Sequence, residues 1–397
     1  MPYLGKKPVD FTDVTESQTF TVTEDITTPS INSGQIGGRR NLIINGAMQV
    51  AQRSTSETFQ SGGGGYLTLD RFSHYTNSTA VFTSSQSTDA PDGFSNSLKL
   101  DCTTADTSVD AAHRTELTMP LEAQNLQHLN YGSSSAKTVT ISLWVKSSVT
   151  GDYAVSIYQA DESTRRTQSQ VYTVNTADTW EHKTLTYTGD TSGLINNDNG
   201  AGVVLRFGLM AGSNFAGTVD NAWGGYTTDN TRLLAGHTAN IGSSTSNEFY
   251  ITGIQLEVGS TATDFEHRSF GEELALCQRY YYRIERTNST DSNNAIGRGV
   301  ASTYIGTGQQ DTSTVAYVSI NSPAVMRDTP SVDQSAVADI IVDDGGGTMA
   351  ASAISLVSHE MIKNIFIYAT VSGGTTGRAN RWFLTGVGDF IELDAEL

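Results

Sequence analysis

Apolar residues in the middle of the chain recur at every second position, which is the period of a half-buried β-strand. Long polar loops without helical periodicity separate these segments, an arrangement typical of a β-sandwich. Four segments carry the pattern most clearly, and the residues expected to share one face in each are Val139, Ile141, Leu143 and Val145; Tyr153, Val155 and Ile157; Val203, Leu205, Phe207 and Leu209; and Tyr250, Thr252, Ile254, Leu256 and Val258. We therefore predict one sandwich domain over residues 41–268.

One helix interrupts this β pattern, and we predict it over residues 269–285. Ser269 is the expected N-cap, and Glu272 follows three residues later, so that the two form a capping box. Cys277 and Tyr281 then lie on one narrow apolar stripe. A helix with so narrow a stripe is expected to connect two domains.

The two ends of the chain differ in their apolar content. Residues 1–40 are rich in Thr, and they alternate only Phe20, Val22 and Ile26 with polar residues, which is too little apolar surface for a core. We predict an extended arm that anchors the chain to a partner by adding a strand to its sheet. Residues 286–397 return to strand-length apolar segments and Gly-rich turns, so we predict a C-terminal, sandwich-like β domain.

The composition is that of an all-β protein with few charges. The chain has 397 residues, of which 38 are Gly and only 17% are charged. Its formal net charge of −18 disfavours binding to phosphate groups, so we expect no nucleic-acid partner. No apolar run reaches the roughly 18 residues of a membrane span, so we expect no membrane insertion. The first residues carry no secretory signal, which predicts synthesis and assembly in the cytoplasm.

We find no pattern of catalytic or metal-binding residues. Cys102 and Cys277 lie far apart and are expected to be buried thiols. His182 and His267 each follow a Glu, but neighbouring residues of a strand point to opposite faces. The segment NNDNG at 196–200 favours an Asx-rich turn over a calcium loop. We therefore predict no enzymatic activity, no cofactor and no metal, although a carboxylate pair for glycoside cleavage would depend on the fold and stays open.

Aromatic side chains among amides and carboxylates are the better functional signal. Sugars stack their C–H faces on aromatic rings, and Asn, Asp or Gln side chains fix the hydroxyl groups. For each candidate, the alternative to glycan binding is ordinary packing within the protein. In the C-terminal domain, the candidate glycan-binding residues are Trp382, Tyr368, Tyr304, Tyr317, Asp343 and Asp344. In the central domain, they are Trp223 and Trp144.

Five segments together resemble bacteriophage tail-fibre and related virion proteins. They are NLIINGAMQVAQRS at 41–54, GYLTLDRF at 65–72, ITGIQLEVGSTATDFEHRSFGEELALCQRYYY at 251–282, SPAVMRDTPSV at 322–332 and LDAEL at 393–397. The resemblance implies that the central domain is a jelly-roll similar to carbohydrate-binding modules. In such modules an Asp of the final strand often holds a structural calcium, and the corresponding TGIQLE has none.

The resemblance also implies a virion protein of the phage tail that binds glycan on the bacterial surface. Residues 1–40 would contact phage tail or capsid proteins, and the C-terminal domain would point outward to the host. An arm without a core and the three aromatic rings of Tyr280, Tyr281 and Tyr282 predict a homotrimer with these tyrosines at its interface.

Two other functions stay open. A tail or capsid decoration protein would have the same composition without a glycan ligand. A depolymerase tailspike usually needs a long β-helix, and the sequence shows no internal repeat of the required length.

Overall fold

A computed structural model of the chain describes residues 30–31, 34–35, 39–226, 230–286, 302–357 and 362–397. Within these residues the fold is all-β, as predicted. Strands β1 (Ser30–Ile31) and β2 (Gly34–Gln35) pair in antiparallel fashion. The predicted anchoring residues Phe20, Val22 and Ile26 lie outside the described residues.

The central domain is a sandwich of two antiparallel sheets. Its strands are β3 (Ser56–Phe59), β4 (Gly64–Tyr66), β5 (Ser73–Thr76), β6 (Val81–Ser87), β7 (Ser97–Thr104), β8 (Arg114–Glu122), β9 (Val139–Ser147), β10 (Gly151–Gln159), β11 (Arg166–Val174), β12 (Glu181–Tyr187), β13 (Ala201–Ala211), β14 (Gly224–Gly225) and β15 (Glu248–Val258). The seven-stranded sheet has the order β14-β11-β10-β13-β8-β5-β4, and the six-stranded sheet has the order β12-β9-β15-β7-β6-β3. The core between them contains the predicted inward faces of β9 and β13, for example Leu143 and Leu205.

Strand β15 departs from the predicted alternation. Phe249 and Ile251 face the core before a register shift, and Ile254 and Leu256 face it afterwards. Gly253 lies in the shifted stretch with a positive φ of 61°, which favours glycine. A bulge thus reverses the side-chain parity, so the prediction that Tyr250 and Thr252 share a face with Ile254, Leu256 and Val258 is wrong.

The predicted helix is present, but it ends at Gln278, earlier than the predicted end at residue 285. Helix α1 (Phe270–Gln278) begins after Ser269, whose side chain accepts a hydrogen bond of 3.3 Å from the backbone N–H of Glu272. The predicted N-cap is therefore confirmed. Residues Tyr281–Glu285 form a strand instead of continuing the helix, because aromatic and β-branched side chains favour a pleated surface and a partner strand is present.

The C-terminal domain packs a small sheet on a large one. Its strands are β16 (Tyr281–Glu285), β17 (Thr303–Gln310), β18 (Val315–Asn321), β19 (Ser331–Gln334), β20 (Ile340–Asp343), β21 (Thr348–Ala350), β22 (Ala353–Leu356), β23 (Asn364–Thr370), β24 (Ala379–Leu384) and β25 (Phe390–Asp394). The small sheet has the order β16-β25-β19, and the large sheet has the order β21-β20-β24-β17-β18-β23-β22. Ile391 and Leu393 of the small sheet share a core with Val318 and Trp382 of the large one.

Charged and aromatic side chains join the two domains, at what we call the junction. Arg279 donates to Glu122, and the hydroxyl of Tyr280 donates to the same carboxylate at 2.8 Å. The guanidinium of Arg71 lies 3.5 Å above the Tyr280 ring and pairs with Glu396. All five segments that resemble phage virion proteins contribute residues to the junction or to contacts beside it.

The junction corrects the predicted role of the tyrosines. Tyr280 and Tyr281 are 1% and 0% exposed, and Tyr281 lies under the guanidinium of Arg53 at 3.6 Å. Tyr282 packs half-buried against the core of the C-terminal domain. The chain itself covers Tyr280 and Tyr281, so they cannot form the predicted trimer interface; the homotrimer itself stays a prediction.

Candidate functional site

A cleft of about 640 Å³ opens on the outer face of the seven-stranded sheet. Its side chains come from three adjacent strands, in which the alternate residues point inward to the core. They include Ser73 and Tyr75 of β5, Arg114, Glu116 and Thr118 of β8, and Arg206 of β13. The turn Gly62–Gly65 also lines this space, which we call the arginine–glutamate cleft.

A buried carboxylate lies between two guanidinium groups in this cleft. Glu116 is 1% exposed, and its Oε1 accepts hydrogen bonds from Arg114 Nε at 3.3 Å and from Arg206 Nη1. Within the described residues, Glu116 Oε2 and Arg206 Nε are buried and have no hydrogen-bond partner. Buried polar atoms almost always find partners. Two side chains that line the cleft therefore keep one acceptor and one donor that the described residues do not satisfy.

Aromatic rings hold the two guanidinium groups in place. The Cζ atom of Arg114 lies 4.4 Å from the ring centre of Tyr75 and 4.6 Å from that of Phe215. The Cζ atom of Arg206 lies 4.7 Å from the ring centre of Tyr158. Stacked guanidinium groups are pre-organised, so they lose little rotamer freedom when they bind a ligand. Tyr75 is 38% exposed, so part of its ring is also open to a ligand.

None of these cleft residues was among the candidates predicted from the sequence. The available signal was Arg114 and Glu116 at alternate positions of a strand whose intervening residues are apolar or β-branched. Such a pattern is usually read as an ordinary solvated face. Only the fold shows that Arg206, 90 positions from Glu116, points at the same carboxylate.

The two predicted tryptophans of the central domain lie elsewhere. Trp144 is half-buried on the outer face of the six-stranded sheet, and its ring centre is 5.1 Å from that of His182. Trp223 packs against the sandwich core, donates a hydrogen bond of 2.7 Å to the carbonyl of Thr188 and meets the edge of Tyr131. The structure thus separates the two tryptophans, and both are half-buried.

The structure corrects the first candidate of the C-terminal domain. Trp382 is completely buried, and its indole N–H donates to Asn380 Oδ1 at 3.2 Å. The alternation of its strand allowed either face to point inward, and the observed register directs the indole into the core. A buried ring cannot stack on a sugar, so the predicted role of Trp382 is wrong.

The tyrosine candidates of that domain are partly brought together. The ring centres of Tyr317 and Tyr368 are 6.2 Å apart on neighbouring strands, and Phe366, which the sequence analysis missed, is 39% exposed beside them. Tyr304 is 45% exposed on β17, where it contacts Phe383. Tyr304 is therefore exposed and Tyr317 and Tyr368 are half-buried, and the ring contact that Tyr304 makes is with Phe383.

The two aspartates of that domain shape a turn. Asp343 accepts hydrogen bonds from Arg381 at 3.0 Å and from the backbone of Gly345. Asp344 accepts from the backbone N–H groups of Thr375 and Gly346, and these bonds lower the pKa of its carboxyl group. Both residues are buried, so the structure corrects their predicted role as acceptors for sugar hydroxyl groups.

Other candidate chemistry is limited in the part of the chain that the structure describes. No group of three or more His, Cys, Asp or Glu side chains there could hold a metal ion. Cys102 and Cys277 are buried free thiols, as predicted, and burial raises the pKa of both. In the NNDNG segment, Asp198 accepts a hydrogen bond from the backbone of Gly200, as in an Asx turn. Among the described helices, none has the length and apolar character that crossing a membrane requires.

The chain is similar in structure to carbohydrate-binding modules and to a phage tailspike domain. A family 22 carbohydrate-binding module of Clostridium thermocellum Xyn10B has 13% identity and a TM-score of 0.29, with 59% of this chain and 100% of that chain covered. A family 11 module from the same organism, in complex with a mixed-linked tetrasaccharide, has 11% identity and a TM-score of 0.26, with 53% and 98% covered.

The tailspike match is the enzymatically active domain of tailspike protein 4 from bacteriophage CBA120. Its identity is 12% and its TM-score 0.29, with 55% of this chain covered. The present chain spans only 21% of that tailspike chain. No family model and no curated protein matches the sequence.

Proposed function

We propose that this chain is a non-enzymatic tail-fibre protein of a bacteriophage, and that its central sandwich binds glycan on the bacterial surface at the arginine–glutamate cleft. The observation that carries the glycan site is that two paired side chains of the cleft each keep an unpartnered group, the acceptor Glu116 Oε2 and the donor Arg206 Nε. Hydroxyl groups can satisfy both, because each donates one hydrogen bond and accepts others. The sequence resemblance supports the virion role.

The cleft combines three contacts that suit a sugar ring. One hydroxyl group donates to Glu116 Oε2 and accepts from Arg206 Nε, or two neighbouring hydroxyl groups share these bonds. The C–H face of the ring lies against the exposed part of Tyr75, which supplies the flat apolar surface. We therefore propose the glycan site in the central sandwich, whereas most of the candidates predicted from the sequence lie in the C-terminal domain.

The cleft favours binding over cleavage. Hydrolysis of a glycosidic bond generally uses two carboxylates that flank the bond. Glu116 is the only carboxylate among the described residues that line the cleft. Attachment to the particle through residues 1–40, assembly as a homotrimer and location in the virion tail complete the proposal.

The proposal is tested by glycan binding of the intact chain and of matched variants. Purified protein is first screened on an array of bacterial surface glycans, and the affinity for the best ligand is then measured by calorimetry. In Glu116→Gln a donor replaces one carboxylate oxygen and the charge is lost, so the affinity should fall about 10- to 100-fold. Tyr75→Ala removes the exposed ring and should weaken binding about 10-fold.

Glu57→Gln is the matched control, because Glu57 is an exposed strand residue on the opposite sheet. It should bind like the wild type, and all variants should keep the wild-type circular dichroism spectrum. Wild-type affinity in both cleft variants would place the site elsewhere. Release of reducing ends from host polysaccharide would identify a depolymerase, and a lack of binding to both the array and host envelopes would favour a decoration protein.

A further inference from the structure

A second concave site lies on the opposite face of the sandwich. It is a groove of about 490 Å³ on the outer face of the six-stranded sheet, and we call it the aromatic groove. Ser142 and Trp144 of β9, His182 of β12 and Gly253 of β15 belong to the sheet. The loop residues that complete the lining are Asp92, Gly93 and Phe94 and the segment 262–265 with His267.

Aromatic rings dominate this lining. The ring centres of Trp144 and His182 are 5.1 Å apart. Phe94 lies 5.0 Å from Phe265 and 5.3 Å from His267, between ring centres. These rings belong to five separate positions of the chain, and the fold brings them to one place.

The bulge of β15 is what allows the rings to converge. A Cβ atom at Gly253 would lie 2.7 Å from Phe94 Cζ and 3.0 Å from Trp144 Cδ1, distances that real Cβ atoms do not tolerate without a shift of the neighbours. Two features therefore favour glycine at position 253: the positive φ of the backbone and the close approach of the Phe94 and Trp144 rings.

The charges around the groove are acidic. Asp92 and Asp264 are exposed lining residues, and none of the described residues that line the groove is a Lys or an Arg. Burial lowers the pKa of His182, so its ring is neutral at pH 7. Arg40 contacts the lining segment, where it donates to Thr263 Oγ1 at 2.8 Å and to the backbone carbonyl of Asp264 at 3.4 Å. Two further cations are engaged elsewhere: Lys146 pairs with Asp89, and Arg268 donates to the backbone carbonyl groups of residues 41 and 43.

The groove also differs from the arginine–glutamate cleft in its hydrogen bonding. None of its lining residues has a buried polar side-chain atom without a partner, as far as the structure describes them. Its accessible hydrogen-bonding groups are exposed ones, chiefly the carboxylates of Asp92 and Asp264. Aromatic faces and these carboxylates attract a cation, because the ring quadrupole and the negative charges act in the same direction, and a cation without N–H groups leaves no donor unpaired against the rings.

We propose that the aromatic groove binds a quaternary ammonium group carried by a small molecule. The ammonium methyl groups contact the rings of Trp144 and Phe94, and Asp92 and Asp264 supply long-range attraction. This site is independent of the proposed glycan site, since the two lie on opposite sheets of the sandwich.

Choline is the probe, and 3,3-dimethylbutan-1-ol is its neutral counterpart of nearly the same shape. Binding to the intact chain is followed by ligand-observed nuclear magnetic resonance. Choline should bind roughly 5- to 30-fold more tightly than the neutral alcohol. Trp144→Ala should abolish this preference, Trp144→Phe should retain part of it, and the double variant Asp92→Asn with Asp264→Asn should reduce it.

Trp180→Ala is the matched control, because Trp180 is another half-buried tryptophan near the same sheet and outside the groove lining. It should bind choline like the wild type. Equal affinity for choline and the neutral alcohol would overturn the proposal, as would choline binding that survives in Trp144→Ala. Displacement of choline by a neutral hexose would identify a sugar-stacking site instead.

The proposals for the two sites can be tested independently of each other. Glu116→Gln should leave choline binding unchanged, and Trp144→Ala should leave glycan binding unchanged. Loss of both activities in either variant would mean that the two faces are not separate sites, and it would overturn this inference.

Discussion

The carboxylate of Glu122 should control how firmly the two domains are joined. Its side chain is completely buried, and its Oε2 accepts hydrogen bonds from Arg279 Nε at 2.9 Å and from the Tyr280 hydroxyl at 2.8 Å. Its Oε1 accepts a second bond from Arg279, at 2.5 Å. Glu122→Gln keeps the shape of the side chain and removes the charge that these donors need.

The expected cost follows from burial. Removing one partner of a buried ion pair typically costs about 3–5 kcal/mol, because the other charge stays desolvated without compensation. Arg279 keeps 27% of its side-chain exposure and can recover part of its hydration. We therefore expect the free energy of unfolding to fall by about 3 kcal/mol at pH 7, the lower end of that range.

The pKa of Glu122 determines how the stability difference between wild type and variant changes with pH. Burial raises the pKa of Glu122, but hydrogen bonds from Arg279 and Tyr280 outweigh this effect and hold the pKa below its ordinary value of 4.5. A carboxyl group with a lowered pKa in the folded state stabilises the protein above the unfolded pKa, and this contribution is lost as the pH falls through the folded pKa. The difference between wild type and variant should therefore be complete at pH 7 and shrink below pH 4.5.

Urea unfolding, followed by tryptophan fluorescence at pH 7 and at several acidic pH values, measures this difference. Glu57→Gln, on an exposed strand, should change stability by less than about 0.5 kcal/mol. A loss below about 1 kcal/mol for Glu122→Gln at pH 7 would refute the reasoning, since it would match an exposed pair. A loss that stays constant down to acidic pH would refute the assigned role of the charge.

Two further substitutions test the fold. Trp382→Ala should cost roughly 3–5 kcal/mol in the C-terminal domain, because a completely buried indole is removed, while glycan binding by the sandwich stays unchanged. A wild-type urea midpoint would show that the ring is not in the core. Gly253→Ala should destabilise the sandwich by about 1–3 kcal/mol through its positive φ and the nearby rings, and it should weaken choline binding. An unchanged midpoint together with unchanged choline affinity would contradict both the bulge and the groove.

Local features of the sequence predicted local structure well. Ser269 identified the start of the helix, because an N-cap hydrogen bond to the residue three positions later is a short-range pattern. The carboxylate of Glu272, expected to complete a capping box, pairs with Arg39 instead. The alternation from Val139 to Val145 predicted the buried face of β9, since strand parity depends only on neighbouring residues. The end of the helix was missed, because the strand that follows Gln278 is fixed by pairing with residues more than 100 positions away.

The candidate site depends on contacts that no local pattern contains. From the sequence alone, Glu116 is expected to be a solvated residue. Strand pairing brings Arg206 and Arg114 to its carboxylate. Trp382 could have faced either way, because its two neighbours share the opposite face and give conflicting signals: Arg381 favours exposure of that face and Phe383 favours its burial. Gly253 reversed the faces of β15, and a single glycine inside an alternating segment does not by itself reveal a bulge.

The junction has a consequence for the order in which the chain can fold. Arg71 lies in an early part of the sandwich and is 1% exposed, yet its partner Glu396 is 325 positions further along the chain. During synthesis the sandwich is therefore complete in sequence while this buried cation still lacks its anion. The pair between Arg71 and Glu396 can form only after the last strand has been synthesised. Contacts between residues so far apart in the sequence form slowly. The sandwich should thus pass through an intermediate in which the Arg71 region stays open and hydrated until the C-terminal domain docks.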